Sequence, residues 1–263
     1  MAMLLIDVGN TRIKWARFDK GRLGTRRAAL HADWGVDDYE RRVIGAARGV
    51  TRVLVASVAG KKVDRSLAAA TRRAGIKCEF MSVPRRAGGV TVGYLEPWRL
   101  GVDRFVAAVG AHHLFKGVPV WAVGVGTAMT LDLIAADGKH KGGVIIPAPA
   151  LMVDTLLTRT SGIRRRAQGG ASGAKGLLAR STRVGIRQGA RFAAAALIDR
   201  AVAEAETLMG KRPFVVVTGG ESAAVRPLLK SPAAGVPDLL LKGLAVLAQQ
   251  LPPQPAPSRA RRR

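Results

Sequence analysis

The sequence has one cysteine, few aromatic residues and no long apolar run. Cys78 is the only cysteine in 263 residues, which excludes an internal disulfide. Uncharged segments such as residues 117–131 fall short of the roughly 18 apolar residues of a transmembrane helix. The first ten residues lack a basic stretch followed by a long apolar run, so no signal peptide is indicated. We therefore expect a cytoplasmic protein without a transmembrane helix.

Acidic residues are scarce relative to basic ones. The chain has 43 Lys and Arg against 18 Asp and Glu, a formal net charge of +25, so it attracts polyanions. Its basic clusters are spread along the whole sequence, and the aromatic content of 5% gives no sign of base-stacking platforms. We favour scattered, solvated charge. The alternative is a surface for nucleic acid or a transcription partner, formed by Arg164, Arg165, Arg166 and the tail residues 259–263.

The apolar patterns predict an α/β protein, because strands and helices alternate along the chain. Hairpins are predicted at residues 4–18 and 120–136, and further strands at 51–58, 80–83 and 214–217. Helices are predicted at residues 37–48, 61–74, 101–115, 182–209 and 237–249. Residues 158–175 are rich in Gly, Ser and Arg and are expected to form a mobile loop. The Pro-rich basic tail, residues 251–263, is expected to be disordered.

The hairpin at 120–136 repeats the one at 4–18. When Gly126 is aligned with Gly9, the apolar runs before the two turns coincide, which indicates an internal duplication. We expect two related halves, residues 1–116 and 117–250. Such halves would place both turns on facing edges of a central cleft.

Three glycine-containing turns, at residues 7–11, 124–127 and 218–220, each follow an apolar strand. Small residues allow backbone N–H groups to approach a phosphate, and neighbouring Asn or Thr side chains add donors. None of the three is a Walker loop or a dinucleotide fingerprint, and each alone fits an ordinary turn equally well. Asp7 carries charge in a strand predicted to be buried, which Mg²⁺ held through water would compensate. Lys14, on the returning strand, is able to neutralise a phosphate.

Seven ordered segments resemble one known family. They are DVGNTRIK at 7–14, YLEPWRLGVDR at 94–104, GTAMTLD at 126–132, GGVIIP at 142–147, STRVGIRQG at 181–189, VVVTGG at 215–220 and PDLLLKGL at 237–244. Together they resemble the type III pantothenate kinases of the actin, Hsp70 and sugar kinase superfamily. The resemblance implies two duplicated actin-like (ribonuclease H-like) halves with a nucleotide cleft between them.

The resemblance also implies an activity and a set of site residues. The expected reaction is phosphorylation of pantothenate by ATP with Mg²⁺, the first step of coenzyme A biosynthesis, in a homodimer that binds pantothenate at the subunit interface. Asp103 matches the general base of the family. The matches to pantothenate-binding positions are Tyr94, Gly101, Arg104 and Thr182. The matches to ATP-binding positions are Asp7, Gly9, Asn10, Thr11, Lys14, Gly126, Thr127, Gly219 and Gly220.

Ordinary structural roles compete with these assignments. Without the surrounding motif, Asp103 and Thr182 would each be interpreted as a helix N-cap, and Tyr94 as a packed aromatic.

Two positions and one segment depart from the family pattern. Gly124 stands where the family has an Asp that binds a monovalent cation such as potassium, and Ala148 replaces a glycine. Residues 158–166 do not match. The chain therefore dispenses with potassium, uses another ligand such as Asp132, or is a weaker catalyst. Because some relatives are described as transcriptional accessory factors, a weakly active or non-catalytic protein that acts through its basic surface is the alternative function.

Overall fold

A computed structural model describes residues 2–45, 47–169 and 176–252 of the chain. The fold is α/β, with two mixed sheets that share one strand order. Each sheet begins with an antiparallel hairpin, and one later strand joins the first strand in parallel. The sequence prediction of an α/β fold from alternating strands and helices is confirmed.

The first sheet has the order β3-β2-β1-β5-β6, and β4 also pairs with β2. Its strands are β1 (Met3–Val8), β2 (Arg12–Asp19), β3 (Arg22–Leu23), β4 (Arg27–Leu30), β5 (Arg52–Ser57) and β6 (Lys77–Phe80). A separate small hairpin follows, formed by β7 (Arg86–Ala87) and β8 (Val90–Thr91).

The second sheet has the order β11-β10-β9-β12-β13, which is the order of the first sheet repeated. Its strands are β9 (Val120–Val125), β10 (Ala128–Ile134), β11 (His140–Pro147), β12 (Phe214–Thr218) and β13 (Ala233–Gly235). Strands β1 and β9 both have six residues and end in valine, so Gly124 corresponds to Asp7. The repeated topology agrees with the alignment of Gly126 on Gly9.

The helices cover the faces of the sheets. They are α1 (Val36–Tyr39), α2 (Lys61–Arg73), α3 (Val102–Leu114), α4 (Pro149–Arg159), α5 (Ser161–Arg166), α6 (Thr182–Met209), α7 (Ser222–Val225) and α8 (Leu239–Ala248). Short 3₁₀ turns lie at Pro97–Arg99 and Arg226–Leu228, and α1 continues as a π-helical turn at Glu40–Ile44.

Three apolar cores lie between these layers. The outer face of the first sheet packs on the first two helices, around Tyr39 and Leu67. The outer face of the second sheet packs on α6, around Ala194 and Ile198. The third core is shared, because it joins the inner faces of both sheets to α3 and α8. Burial of this shared core holds the two sheets together.

Helices α3 and α8 approach each other closely in the shared core. A Cβ on Gly243 would lie 2.0 Å from the carbonyl oxygen of Val106, and one on Gly110 would lie 2.6 Å from that of Leu239. These distances are far inside van der Waals contact, and the atoms approached belong to the backbone. Glycine at both positions is therefore what permits this packing.

Three sequence predictions are corrected by the structure. The strand expected at 80–83 is β6 and ends at Phe80, because its parallel pairing with β5 begins at Lys77. The helix expected at 37–48 ends at Ile44. Within the mobile loop expected at 158–175, most residues as far as Arg166 belong instead to α4 and α5, and both helices contact α6. The remainder of that segment from residue 170 lies outside the described residues.

The basic segments named as an alternative interaction surface lie partly on the protein surface and partly outside the described residues. Arg164, Arg165 and Arg166 are exposed on α5, whereas residues 253–263 of the tail lie outside the described part of the chain. Within the described ranges, no helix combines the length and apolar character needed to cross a bilayer.

The α3–α8 approach predicts opposite effects for two glycine-to-alanine substitutions in helices. Gly243→Ala should lower the free energy of unfolding by about 1–3 kcal/mol, because the added methyl group meets backbone that cannot move away. Gly189→Ala on α6 should raise it by about 0.5–1 kcal/mol, because its Cβ would enter open space and alanine favours a helix. Urea unfolding measures both. Equal effects would contradict the close approach.

Candidate active site

The first turn joins β1 to β2 and is fixed from behind by a histidine. The N–H of Gly9 donates to the carbonyl of Arg12 at 3.0 Å, which closes the turn. The Nε2 atom of His31 donates to the carbonyl of Gly9 at 2.7 Å, and its Nδ1 accepts from the Tyr39 hydroxyl at 2.9 Å. The tip residues Asn10 and Thr11 remain exposed. The turn is thus rigid at its base and open to a ligand at its tip.

The second turn joins β9 to β10 and meets the first. The Oγ1 atoms of Thr11 and Thr127 lie 3.5 Å apart, although 116 residues separate them in sequence. The N–H of Gly126 donates to the carbonyl of Ala128, and the N–H of Ala148 donates to the carbonyl of Thr127. The sequence prediction that the two turns face one cleft is consistent with this contact.

The third turn, at the end of β12, packs directly on the second. Gly219 has φ of 102°, and a Cβ there would lie 2.2 Å from the carbonyl oxygen of Val125. The same carbonyl accepts the N–H of Glu221 at 3.1 Å. Only glycine tolerates both the left-handed backbone and this proximity. All three glycine turns are therefore gathered at one end of the two sheets, with Gly220 exposed.

Two buried carboxylates, Asp7 and Asp103, interact electrostatically near the first turn. Asp7 is buried, and its Oδ2 accepts from Lys14 Nζ at 3.3 Å across the hairpin. Burial raises the pKa of Asp7, Lys14 partly offsets that shift, and the nearby charge of Asp103 adds to it. Asp103, from the first turn of α3, is thus close enough to Asp7 for their charges to interact.

Asp103 occupies the first turn of α3 but does not cap the helix. The N-cap residue is Gly101, and the Oδ1 of Asp103 accepts the N–H of Arg104 at 2.8 Å. A Cβ on Gly101 would lie 2.6 Å from that same oxygen, so the missing side chain leaves room for the carboxylate. Burial raises the pKa of Asp103, opposed mainly by its hydrogen bond from the Arg104 backbone. The N-cap alternative for Asp103 is wrong.

Arg104 and Tyr94 belong to one buried network behind Asp103. Arg104 donates through Nε and Nη2 to both oxygens of Asp132, at 2.9 and 2.6 Å, and through Nη1 to the Tyr94 hydroxyl at 3.0 Å. His140 Nε2 also binds Asp132 Oδ1, at 2.9 Å. Sequence reasoning missed the roles of Asp132 and His140 here. A charged residue inside the apolar strand MTLDLI was the available signal.

This network bears on the potassium position, where the sequence left alternatives open. Gly124 lies opposite Thr130 on β10 and Thr218 on β12, so hydroxyl side chains flank the position where the family has a carboxylate. Asp132 is the alternative cation ligand in the sequence, and both of its oxygens are engaged by Arg104 and His140. These contacts argue against Asp132 as the cation ligand.

Two other features surround the site. Thr182 is the first residue of α6, with Ser181 as N-cap, so its own N-cap alternative is also wrong. In the described ranges, none of the hydrogen bonds or ion pairs links Thr182 to Tyr94 or Arg104.

Beyond the third turn lies a pocket of about 220 Å³ that sequence reasoning did not find. It is lined by Pro149, Ala150, Val153, Asp154, Arg187, Arg191 and Glu221.

The arrangement has the components for moving a phosphoryl group to a hydroxyl. Exposed turn residues and Lys14 offer donors and positive charge to phosphates, while a pocket beside Gly220 offers space for an attached group. Asp103 offers a partly desolvated carboxylate that is able to accept a proton.

Comparisons with known proteins agree with this chemistry. A family model described as Type III pantothenate kinase matches residues 3–204. A type III pantothenate kinase of Nitrosococcus oceani is 36% identical over 252 residues, which cover 94% of this chain and 94% of that protein. A second, from Azoarcus sp., is 35% identical over 264 residues, with coverage of 98% and 97%.

Solved structures show the same fold at low sequence identity. Component A of the (R)-2-hydroxyglutaryl-CoA dehydratase of Acidaminococcus fermentans has a TM-score of 0.55 at 13% identity, covering 95% of this chain and 97% of that one. The ethanolamine utilization protein EutJ of Carboxydothermus hydrogenoformans has a TM-score of 0.52 at 12% identity, covering 94% and 90%. The predicted actin-like fold class is confirmed.

The raised pKa of Asp103 predicts a stability gain when its charge is removed. The folded-state pKa lies above the ordinary value of 3.8, so the protonated carboxyl favours folding and this contribution is lost as the pH rises through the folded-state pKa. Asp103→Asn should therefore be more stable than wild type at pH 7, with the difference shrinking towards pH 3.8.

Chemical denaturation across this pH range measures the effect, with Asp137→Asn as control. Asp137 is exposed, and hydrogen bonds from Lys139 lower its pKa, so its replacement should give no gain at pH 7. An Asp103→Asn protein less stable than wild type at pH 7 would contradict the burial argument.

Proposed function

The chain belongs to the type III pantothenate kinase family, and from that premise we propose that it transfers the γ-phosphoryl group of ATP to the primary hydroxyl of pantothenate. The products are 4′-phosphopantothenate and ADP. The observation that carries the proposal is the meeting of Thr11 and Thr127 at 3.5 Å, because it brings two phosphate-binding turns together beside Asp7 and Asp103.

The nucleotide is proposed to lie along the three turns. The first turn, at Gly9, Asn10 and Thr11, and the second, at Gly126 and Thr127, offer backbone and side-chain donors to the β- and γ-phosphates. Lys14 adds a positive charge 3.3 Å from Asp7. Gly219 and Gly220 lead to the pocket lined by Pro149 and Glu221, which has room for part of the adenosine. Fixed donors of this kind stabilise a transferring phosphoryl group by position and charge.

Asp103 is the proposed general base. As the hydroxyl oxygen of pantothenate bonds to the γ-phosphorus, the bond from that phosphorus to the β–γ bridging oxygen breaks and ADP leaves. The hydroxyl proton passes to Asp103. Because burial raises the pKa of this carboxyl, the group binds a proton more strongly than an exposed aspartate does. The hydrogen bond from the Arg104 backbone fixes its Oδ1.

The residues present fit a Mg²⁺ ion bound mainly by phosphates and water. In the described part of the chain, no group of three or more His, Cys, Asp or Glu side chains is placed to hold a metal. Asp7 is buried, and its hydrogen bond from Lys14 uses Oδ2. One carboxylate that acts through water is a common arrangement for Mg²⁺ on a nucleotide. Bound there, the ion would neutralise developing phosphate charge.

A monovalent cation does not fit the residues at its family position. Gly124 supplies no carboxylate, and the Thr130 hydroxyl lies 3.0 Å from where a Cβ would stand. Neutral hydroxyls of Thr130 and Thr218 do not replace that charge. We therefore assign no role to potassium or ammonium in this chain.

We extend the proposal to a cytoplasmic homodimer with pantothenate bound between subunits. Large apolar side chains next to Tyr94 support it, since Leu95 is 94% and Trp98 is 68% exposed. Ile145, on the edge strand β11, is 58% exposed. Among the described residues, Thr182 forms no hydrogen bond with Tyr94 or Arg104, which is consistent with a site completed by a second copy.

Loss of the proposed base should remove most turnover without removing nucleotide binding. Asp103→Asn should lower kcat for pantothenate-dependent ADP release by about 10² to 10⁴, because the hydroxyl proton loses its acceptor. Asp137→Asn, on an exposed turn, is the matched control and should keep the wild-type rate. Equal turnover by Asp103→Asn and wild type would remove Asp103 from the mechanism.

Gly124 predicts independence from potassium. Wild-type turnover should be unchanged when potassium is exchanged for a bulky organic cation at constant ionic strength. Gly124→Asp should create a potassium response, because it supplies a carboxylate next to Thr130 and Thr218. Gly124→Asn, which is neutral and of equal size, should not. A wild-type enzyme that stops without potassium would contradict this assignment.

A further inference from the structure

We propose that Asp132 and His140 are positioning residues that hold Arg104 and Tyr94 in one fixed arrangement for the acceptor substrate. The inference rests on the proposed function, since it concerns the site where pantothenate would bind. Neither Asp132 nor His140 faces that site directly. Their effect on the substrate passes through the guanidinium of Arg104 and the hydroxyl of Tyr94.

The first observation is the geometry of Arg104. Its side chain is 5% exposed and that of Asp132 is 2% exposed, so the pair is removed from water. Two parallel hydrogen bonds, at 2.9 and 2.6 Å, fix the plane of the guanidinium on the carboxylate. A third donor, Nη1, then points to the Tyr94 hydroxyl at 3.0 Å. The tyrosine oxygen accepts this bond, which leaves its own O–H to donate to a substrate.

The second observation is the part played by His140. Its Nε2 lies 2.9 Å from Asp132 Oδ1, and its side chain is 1% exposed. Its ring also lies 5.7 Å from the Tyr94 ring, at an interplanar angle of 33°. Within the described residues, His140 Nδ1 has no partner, so Nε2 provides the polar contact that orients the ring. His140 therefore supports Tyr94 by packing and Asp132 by a hydrogen bond.

The third observation is that the backbone is shaped around this network. A Cβ on Gly143 would lie 2.1 Å from the carbonyl oxygen of Leu131, and also 2.7 Å from Asp132 Oδ1 and 2.8 Å from Arg104 Nη2. A Cβ on Gly93, next to Tyr94, would lie 2.0 Å from the carbonyl oxygen of His140. Glycine at position 143 leaves room for the Asp132–Arg104 ion pair. Glycine at position 93 leaves room for the loop that carries Tyr94, called here the tyrosine loop.

Arg85 holds the tyrosine loop on its outer side. Its guanidinium donates to the carbonyl oxygens of Tyr94 and Leu95, both at 2.6 Å. The loop is thus fixed by its backbone from outside and by its hydroxyl from within. Such a preformed arrangement lowers the ordering cost when a ligand binds.

A role in stability alone does not account for this design. Burying two charges costs desolvation energy that their attraction barely offsets, and packed apolar residues of similar volume often serve as well. Instead, Arg104 donates three hydrogen bonds in this network, two to Asp132 and one to the Tyr94 hydroxyl. Together they fix the orientation of its guanidinium. Groups that contact a substrate work best when such surrounding contacts lock their conformations.

The test uses a matched pair of substitutions at His140. Gln places an N–H donor within reach of Asp132, whereas Asn carries the same amide one carbon too short. Both variants lose the ring equally. His140→Asn should raise the KM for pantothenate roughly tenfold or more while the KM for ATP stays within about twofold, because only acceptor binding depends on the network. His140→Gln should restore much of the lost affinity, and His113→Gln on the exposed end of α3 should behave as wild type.

A double-mutant cycle checks that the effect passes through Tyr94. Tyr94→Phe should weaken pantothenate binding in the wild-type background and should weaken it less in the His140→Asn background. Calorimetric titration of pantothenate reports binding without turnover, and circular dichroism confirms that each variant is folded. If a His140 variant does not fold, Asp132→Asn replaces His140→Asn in the cycle with Tyr94→Phe. Asp137→Asn then serves as the control.

The outcomes separate the two proposals. Equal pantothenate KM values for His140→Asn, His140→Gln and wild type would overturn the positioning role while leaving the kinase proposal intact. Additive effects in the cycle would also overturn it. A folded wild-type protein that neither binds pantothenate nor releases ADP in its presence would overturn the proposed function itself, and the positioning role with it.

Discussion

The close packing of α3 against α8 sets the distance between the two sheets, and the whole site depends on that distance. Gly110 and Gly243 let the two helix backbones approach, and the shared apolar core closes around them. Asp103 lies in the first turn of α3, so the contact that joins the sheets also fixes the position of the proposed base. The turns of β1–β2 and β9–β10 then meet because both hairpins stand on sheets held at that spacing.

The chemistry depends on charges that the fold holds away from water. Burial raises the pKa values of Asp7 and Asp103, whose hydrogen-bond partners are Lys14 and the Arg104 backbone, respectively. The contrast is Asp132, whose two oxygens are filled by Arg104 and His140. One kind of carboxylate remains available for a ligand or a proton. The other kind, Asp132, has hydrogen-bond partners within the protein and orients the residues that bind it. Active sites commonly contain carboxylates of both kinds.

The sequence predicted the parts of the fold that depend on local pattern. Apolar periodicity located the helix at 182–209, and the repeated glycine turn led to the alignment of Gly124 with Asp7 that the two equal strands support. Local pattern failed where tertiary contacts decide the outcome. Residues 158–166 read as a loop because of their Gly, Ser and Arg content, yet packing beside α6 makes them helical. The hydrogen bonds of Asp132 with Arg104 and His140 could not be predicted from the sequence either, because these residues meet only when β10, β11 and α3 are assembled.

The most direct test of the account is a crystal structure of the protein with Mg²⁺, a non-hydrolysable ATP analogue and pantothenate. We expect the terminal phosphate between Thr11 and Thr127, with the primary hydroxyl of pantothenate within hydrogen-bonding distance of the Asp103 carboxylate. A nucleotide bound away from the two turns, or an Asp103 side chain directed away from the hydroxyl, would contradict the account.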